Sequence, residues 1–363
     1  MIERRELLTV LCLGVVLGAA GWLRAQKREP KMPVVRVRVD MVQLDVAVRD
    51  KRGYYVTGLS PHNFEIYEDD IRQKIATFGV EDQAPRKLED IKHWESKPQL
   101  VKPFSKKDTS RGLDGVDSAD AASSIFVLFD TSNYMYRGFV FAQDAIAAFV
   151  RYLDHRDRVA FYSYSRDVSR VCLLTGDRSR VLQGVRTTVA GDQAALYDAL
   201  LKTLRDAGMF SGRRAVVVFS NGPDDASMAS PEDVRDLAQS EGIPIYMVCT
   251  QEAEDDTLSS AIFKRISIAT GGQAYFAGHW KGQRKAFDSI RDDLAHLYTL
   301  SYYPKPNPNL GWRTITVKLV GQKLKKYHVR TRTGYRPPLV WANPLNRAAS
   351  ESGTPPLSSP GNE

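Results

Sequence analysis

The sequence predicts an α/β protein, with a helix-covered parallel sheet between small β-rich modules. Three observations carry this. From Ile125 to Leu297 apolar strand-like runs alternate with amphipathic stretches, the pattern of a sheet buried on both faces. Before and after that span the apolar period drops to two. The run Ile125 to Phe129 ends in Asp130-Thr131-Ser132, which puts a carboxylate and a hydroxyl where a buried strand emerges into a loop, the place where such sheets carry ligands.

In order, Val35, Val37 and Val39 and then Val42, Leu44, Val46 and Val48 read as half-buried strand, with a bulge or break where the apolar phase shifts at Asp40-Met41. Asp50-Lys51-Arg52-Gly53 supplies a turn, and Gly58-Leu59-Ser60-Pro61 opens a short helical turn before the strand Phe64 to Glu68. Residues 34–82 thus form a β-rich domain. Residues 83–123 hold few apolar side chains and several breakers, so they read as a disordered linker, the alternative being an ordered insertion anchored by Trp94.

The α/β domain spans 124–297. Its first helix carries Ala142, Ile146, Phe149, Val150 and Leu153 on one face. Arg158 to Tyr164 is a strand, Arg170 to Leu174 pairs with it antiparallel at the sheet edge, and Asp177 opens a helix. Val216 to Phe219 is a central strand. Ser230-Pro231-Glu232-Asp233 is a helix start with an N-cap, a proline at the first position and an acid at the third. Ile243 to Val248 and Leu258 to Thr270 form the next strand and helix, stopped by Gly271-Gly272, and a last helix carries Phe287, Ile290, Leu294 and Leu297. Three strands follow in 298–337, at Tyr298 to Tyr303, Thr314 to Val320 and Tyr327 to Thr333, packed with the first domain or beside the sheet. Residues 338–363, rich in Pro, Ser, Gly and Asn, read as a disordered tail.

The chain has 363 residues, room for two or three domains, with 43% hydrophobic and 26% charged residues, as in an ordinary soluble protein. Net charge is +8. Arg4 and Arg5 precede an uncharged stretch from Leu7 to Leu23 and then Leu23-Arg24-Ala25-Gln26, the layout of a secretory signal at 1–25 cleaved after Ala25; an uncleaved anchor is the alternative. The expectation is an exported protein, periplasmic or extracellular. Cys172 and Cys249 lie in apolar strand-like runs and read as small buried hydrophobes without a disulfide.

Asp45-Val46-Ala47-Val48-Arg49-Asp50, Val56-Thr57-Gly58-Leu59, Asn63-Phe64-Glu65-Ile66-Tyr67-Glu68-Asp69 and Gln73-Lys74-Ile75 at one end, and Tyr298 to Pro304 with Arg332-Thr333-Gly334-Tyr335 at the other, flank the α/β centre. On these phrases the span from Val35 to Pro337 resembles a bacterial family of exported proteins with a von Willebrand factor A-related domain. The resemblance implies a Rossmann-like sheet of strand order 3-2-1-4-5-6. It also implies a metal-ion-dependent adhesion site at the carboxyl ends of the strands, in a degraded form. Asp130 and Ser132 match its first Asp and Ser, whereas Tyr134, Ala194 and Asn221 stand at the positions of the second Ser, the Thr and the second Asp.

These departures cost a small hard cation its oxygen shell, since alanine offers none and asparagine gives up a charge. Asp224 or Asp225 could serve as substitutes, with Mg²⁺ or Ca²⁺ held at low affinity; the other reading is a metal-free pocket in which Asp130 bonds to backbone and to Ser132. No cofactor is expected. The six histidines form no ligand pairs, and no nucleophile elbow or phosphate loop occurs, which argues against an enzyme. The expected function is a non-catalytic module binding an unidentified protein partner through sheet-top loops that include Thr131, Asn133, Tyr134, Gln193 and Gly222. A cation-dependent adhesin is one alternative. The other is a binder of anionic envelope polymer or membrane surface, because Arg313 to Arg336 contains eight Lys or Arg and no acid; export disfavours nucleic acid.

Overall fold

The computed structural model describes residues 41–80, 83–91, 97–103 and 123–337. The chain opens with β1 (Val42–Arg49), β2 (Tyr55–Thr57), β3 (Phe64–Glu68), β4 (Ile71–Gln73), β5 (Ile75–Val80), β6 (Arg86–Lys87) and β7 (Gln99–Val101). There follow β8 (Ser124–Asp130), α1 (Phe139–Tyr152), β9 (Arg158–Tyr164), β10 (Val168–Thr175), α2 (Arg178–Thr187), α3 (Leu196–Gly208), β11 (Arg214–Ser220), α4 (Pro231–Glu241), β12 (Ile245–Cys249), α5 (Gln251–Asp255), α6 (Thr257–Thr270), β13 (Ala274–Phe276) and α7 (Trp280–Ala295). The last strands are β14 (Tyr298–Tyr302), β15 (Arg313–Leu319), β16 (His328–Arg330) and β17 (Gly334–Tyr335). The signal segment 1–25, the strand at 35–39, Trp94 and the tail 338–363 lie outside the described residues.

Strand β8 shows how the sequence makes the α/β sheet. All seven of its residues are buried, because its two faces serve two cores. Ile125, Val127 and Phe129 pack with Ile146 and Phe149 of α1, Val181 of α2 and Phe287 of α7. Phe126 and Leu128 pack with Leu200 and Leu204 of α3, Val234 of α4 and Phe263 of α6. Burying each such side chain stabilises by about 1.5–3 kcal/mol. Phe219 meets Phe129 edge-on at 6.1 Å and stacks on Phe287 at 5.9 Å.

The sheet runs β10-β9-β8-β11-β12-β13, which in chain order is the expected 3-2-1-4-5-6, with β10 antiparallel at the edge. Asp177 caps α2 through the N–H groups of Ser179 and Arg180, and Ser230 with Asp233 forms the capping box of α4. Helix α3, strand β13 and the short α5 fall on residues given no element by the sequence reading. The periodic stripe Leu196, Leu200, Thr203, Leu204 and Ala207 is the signal that α3 carried. Among the described residues no helix is long and apolar enough to cross a membrane.

The outer strands form one β module. Strand β14 lies antiparallel between β1 and β5, in a sheet ordered β6-β5-β14-β1-β2-β7 with β16 also on β1; a second sheet runs β17-β15-β3-β4. The N- and C-terminal segments thus share a core of Leu44, Val46, Phe64, Phe78, Tyr298 and Leu300. Part of the expected linker is corrected: residues 86–87 and 99–101 pair with β5 and β2, because edge strands gain ladder hydrogen bonds that require no apolar side chain. Cys172 is half-buried on the edge strand rather than buried, Cys249 is buried, and both are free.

Charged side chains join module to α/β domain. Asp293 of α7, fully buried, receives Arg49 from β1 at 2.7 Å, Arg330 from β16 and the Tyr246 hydroxyl at 2.6 Å. Arg332, also buried, donates to the carbonyls of Gln239 and Ser240 at the end of α4 and to Gln43 of β1, where a cation faces the negative end of the helix dipole.

Candidate functional site

Asp130 ends β8 at the carboxyl edge of the sheet and is buried. Its Oδ1 accepts the Ser132 N–H at 2.9 Å, and its Oδ2 accepts the Ser220 hydroxyl at 2.9 Å and the Asn221 N–H at 3.4 Å. The Tyr164 hydroxyl donates in turn to Ser220 at 3.1 Å. Burial pushes the Asp130 carboxyl above its ordinary range, against the lowering by hydrogen bonds from Ser132 and Ser220. Burial and the nearby Asp130 push Tyr164 well up, so it stays a neutral donor. The buried Ser132 hydroxyl lies close to this carboxyl but meets no acceptor in hydrogen-bond geometry.

The positions that depart from the metal motif are tied into other bonds. Asn221 donates through Nδ2 to the Tyr134 carbonyl and accepts the Thr250 hydroxyl. Asp225 accepts the Ala194 N–H at 2.8 Å and the Tyr134 hydroxyl at 3.1 Å, and its own N–H returns to the Ala194 carbonyl at 3.0 Å. Asp224 caps the start of α3 through the Tyr197 N–H at 3.0 Å and holds Ser227. Asp224 and Asp225, expected as substitute ligands, are thus occupied as loop ties. Among the described residues no group of three or more His, Cys, Asp or Glu could hold a metal ion. Both Asp130 oxygens already accept hydrogen bonds, Ala194 brings no side-chain oxygen, and both ends of Asn221 are engaged.

The loops that surround this core differ from the expected contact set. Thr131 is buried, with its N–H and hydroxyl both donating to the Tyr164 carbonyl. Gly222 is buried too, at φ +119°, and a Cβ there would lie 2.9 Å from that of Ala253, so glycine is required. Both are framework, not contact residues. Asn133, Tyr134 and Gln193 are exposed. The same loops and the first turn of α1 also expose Tyr136 (79%), Val140, Phe141, Val189 and Met228 (95%). Tyr136, Val189 and Met228 lie in the loops expected to form the recognition face, whereas Val140 and Phe141 lie outside them and fall off the buried stripe of α1 that begins at Ala142.

The architecture is similar to solved structures of low identity. The conserved hypothetical protein BatB from Bacteroides thetaiotaomicron shares 16% identity over 47% of this chain and 98% of that one, with a TM-score of 0.41. A von Willebrand factor type A protein from Catenulispora acidiphila shares 10% over 77% and 75%, with a TM-score of 0.43. The vWF domain of the type V pili tip protein Mfa5 from Porphyromonas gingivalis shares 10% over 47% and 94%, at 0.41. No curated protein matches the chain. Residues 124–287 match the family model for the von Willebrand factor type A domain.

Proposed function

We propose that the chain is an exported, non-catalytic interaction module that binds a protein partner through the loops around Asn133, Tyr134 and Gln193, without metal. The observation that carries this reading is the set of ties from Asn221 and Asp225 to Tyr134 and Ala194, which hold the loops by protein hydrogen bonds at the positions where the family motif would place ligands. Exposed Tyr136, Val140, Phe141 and Met228 give the same loops an apolar contact surface, which a partner would cover. A photo-cross-linking residue at position 136 in the exported chain should capture one envelope or extracellular protein equally with and without EDTA. Capture lost on EDTA, or no specific capture, would count against the proposal.

A cation-dependent adhesin is the second reading, favoured by the buried Ser132 hydroxyl beside Asp130. Calorimetric titration with Mg²⁺, Ca²⁺ and Mn²⁺ separates the two. Saturable binding that Asp130→Ala abolishes supports the adhesin, and no heat at about millimolar cation supports the metal-free module.

A further inference from the structure

Helices α4 and α6 and the ends of β15 and β17 line an open groove of about 400 Å³ that shares no residue with the sheet-top loops. Arg235 and Asp236 come from α4, Arg265 from α6, Trp312 from the residue before β15, and Arg336 from the residue after β17. The groove is built on fixed backbone. Gln239, buried beneath it, donates to the Ala269 carbonyl at 2.9 Å and to the Thr333 hydroxyl at 3.0 Å, and the Thr333 N–H donates to the same carbonyl at 3.0 Å.

Trp312 is seated by a second constraint. A Cβ on Gly334 would lie 2.7 Å from Trp312 Nε1 and 2.5 Å from the Arg313 carbonyl, so the indole edge packs directly on glycine backbone. The Asn309 amide holds the Trp312 carbonyl at 2.6 Å. The ring is half-buried and borders the groove.

The charges are uneven in a useful way. Arg235 is engaged by Asp236 at 2.8 Å and Arg265 by Glu232, whereas the Arg336 guanidinium makes no ion pair or side-chain hydrogen bond among the described residues. One unpaired planar cation therefore stands at a groove bordered by one aromatic plane. Of the lining residues only Trp312 and Ala269 are apolar, so there is no pocket to anchor the side chains of a peptide.

We infer that this groove binds an anionic polysaccharide through a carboxylated sugar unit. The C–H face of a pyranose lies on the Trp312 indole, and its carboxylate takes the two parallel N–H donors of Arg336. Arg235 and Arg265 are neutralised by Asp236 and Glu232, so Arg336 carries the groove's net positive charge. Each contact is solvent-exposed, so the binding is weak per unit and sensitive to salt.

The test is calorimetry on the full chain with three probes at low salt: a hexamer of galacturonate, a neutral glucose hexamer of equal length, and an aromatic tripeptide with a free C-terminal carboxylate. The galacturonate hexamer should bind, with affinity falling about tenfold or more at high salt. Arg336→Gln, a surface change that leaves the fold alone, should weaken it by about tenfold, and Trp312→Ala by at least as much while Trp312→Phe retains binding. Absence of heat from the galacturonate hexamer, equal binding of the neutral hexamer, unchanged affinity in Arg336→Gln, or preference for the tripeptide would each overturn the inference.

Discussion

Asp293 and Arg49 meet at 2.7 Å across the boundary between the α/β domain and the β module, the carboxylate fully buried and the guanidinium 22% exposed. Arg330 and the hydroxyls of Tyr246 and Tyr55 also reach the carboxylate. Burial alone would raise the Asp293 carboxyl, but the two guanidinium groups hold it below its ordinary range. Asp293→Ala leaves two arginines without their counter-charge and should cost about 3–5 kcal/mol in urea unfolding. Because its folded pKa is depressed, Asp293 contributes stability above the unfolded value of a carboxyl that is lost as pH falls through the acid range, so the variant should lose less between neutral pH and acid than the parent.

Asp130 predicts the opposite sign. Its folded pKa is raised by burial, so its contribution is full below the unfolded pKa and is lost as pH rises through the folded one. Asp130→Asn removes the buried charge but keeps a single acceptor oxygen, so its NH2 group faces either the Ser132 N–H or the Ser220 hydroxyl and Asn221 N–H. Its melting temperature should therefore change less with pH than that of the parent, which gains stability as pH falls through the raised folded pKa of Asp130. Stabilisation of the parent by magnesium at pH 7, absent in the variant, would instead mean that a cation normally neutralises this carboxylate.

Asp225→Ala removes the acceptor of the Ala194 N–H and of the Tyr134 hydroxyl. One buried donor loses its partner, at a cost of about 1–3 kcal/mol. Hydrogen exchange should accelerate at Ala194 to Leu196 and Asn221 to Ser227, with β8 unchanged.

Asp69, at φ +45° in the β3–β4 turn, accepts the Thr314 N–H at 2.8 Å, the Asn309 amide at 2.8 Å and the Asn307 amide at 3.0 Å. Burial is the largest single influence and opposes its ionisation, but these donors together hold its pKa down to about 2. The stability it contributes is present above the unfolded carboxyl value and lost as pH falls from about 4 to about 2. Asp69→Asn tolerates the positive φ and should lack that step in acid unfolding followed by circular dichroism.

How much of this was legible depended on the physics that made each element. Strand β8 and the α4 capping box could be read because both-face burial and cap chemistry leave local marks in residue type. The junction could not: nothing near Asp293 names Arg49 or Arg330 as its partners, and both come from strands far away in sequence. The site was half legible. Asp130 and Ser132 showed as types at a strand end, and the departures at Tyr134, Ala194 and Asn221 showed by resemblance. The occupation of Asp224 and Asp225 by backbone N–H groups depends on loop geometry, and so does the burial of Thr131 and Gly222. Strands β6 and β7 are edge strands of two and three residues with largely exposed side chains, which leaves a composition-based reading nothing to detect.

The seat of β14 between β1 and β5 also sets a schedule for synthesis. The ribosome must add 222 residues after Val80 before Tyr302 exists to complete that sheet. At about 5–20 residues per second, that leaves β1 and β5 without their middle strand for roughly ten to forty seconds, long enough for the intervening α/β unit to collapse first. The early strands then hold open ladder edges that invite pairing with other chains, and the final strands act as a clasp that ends this exposure.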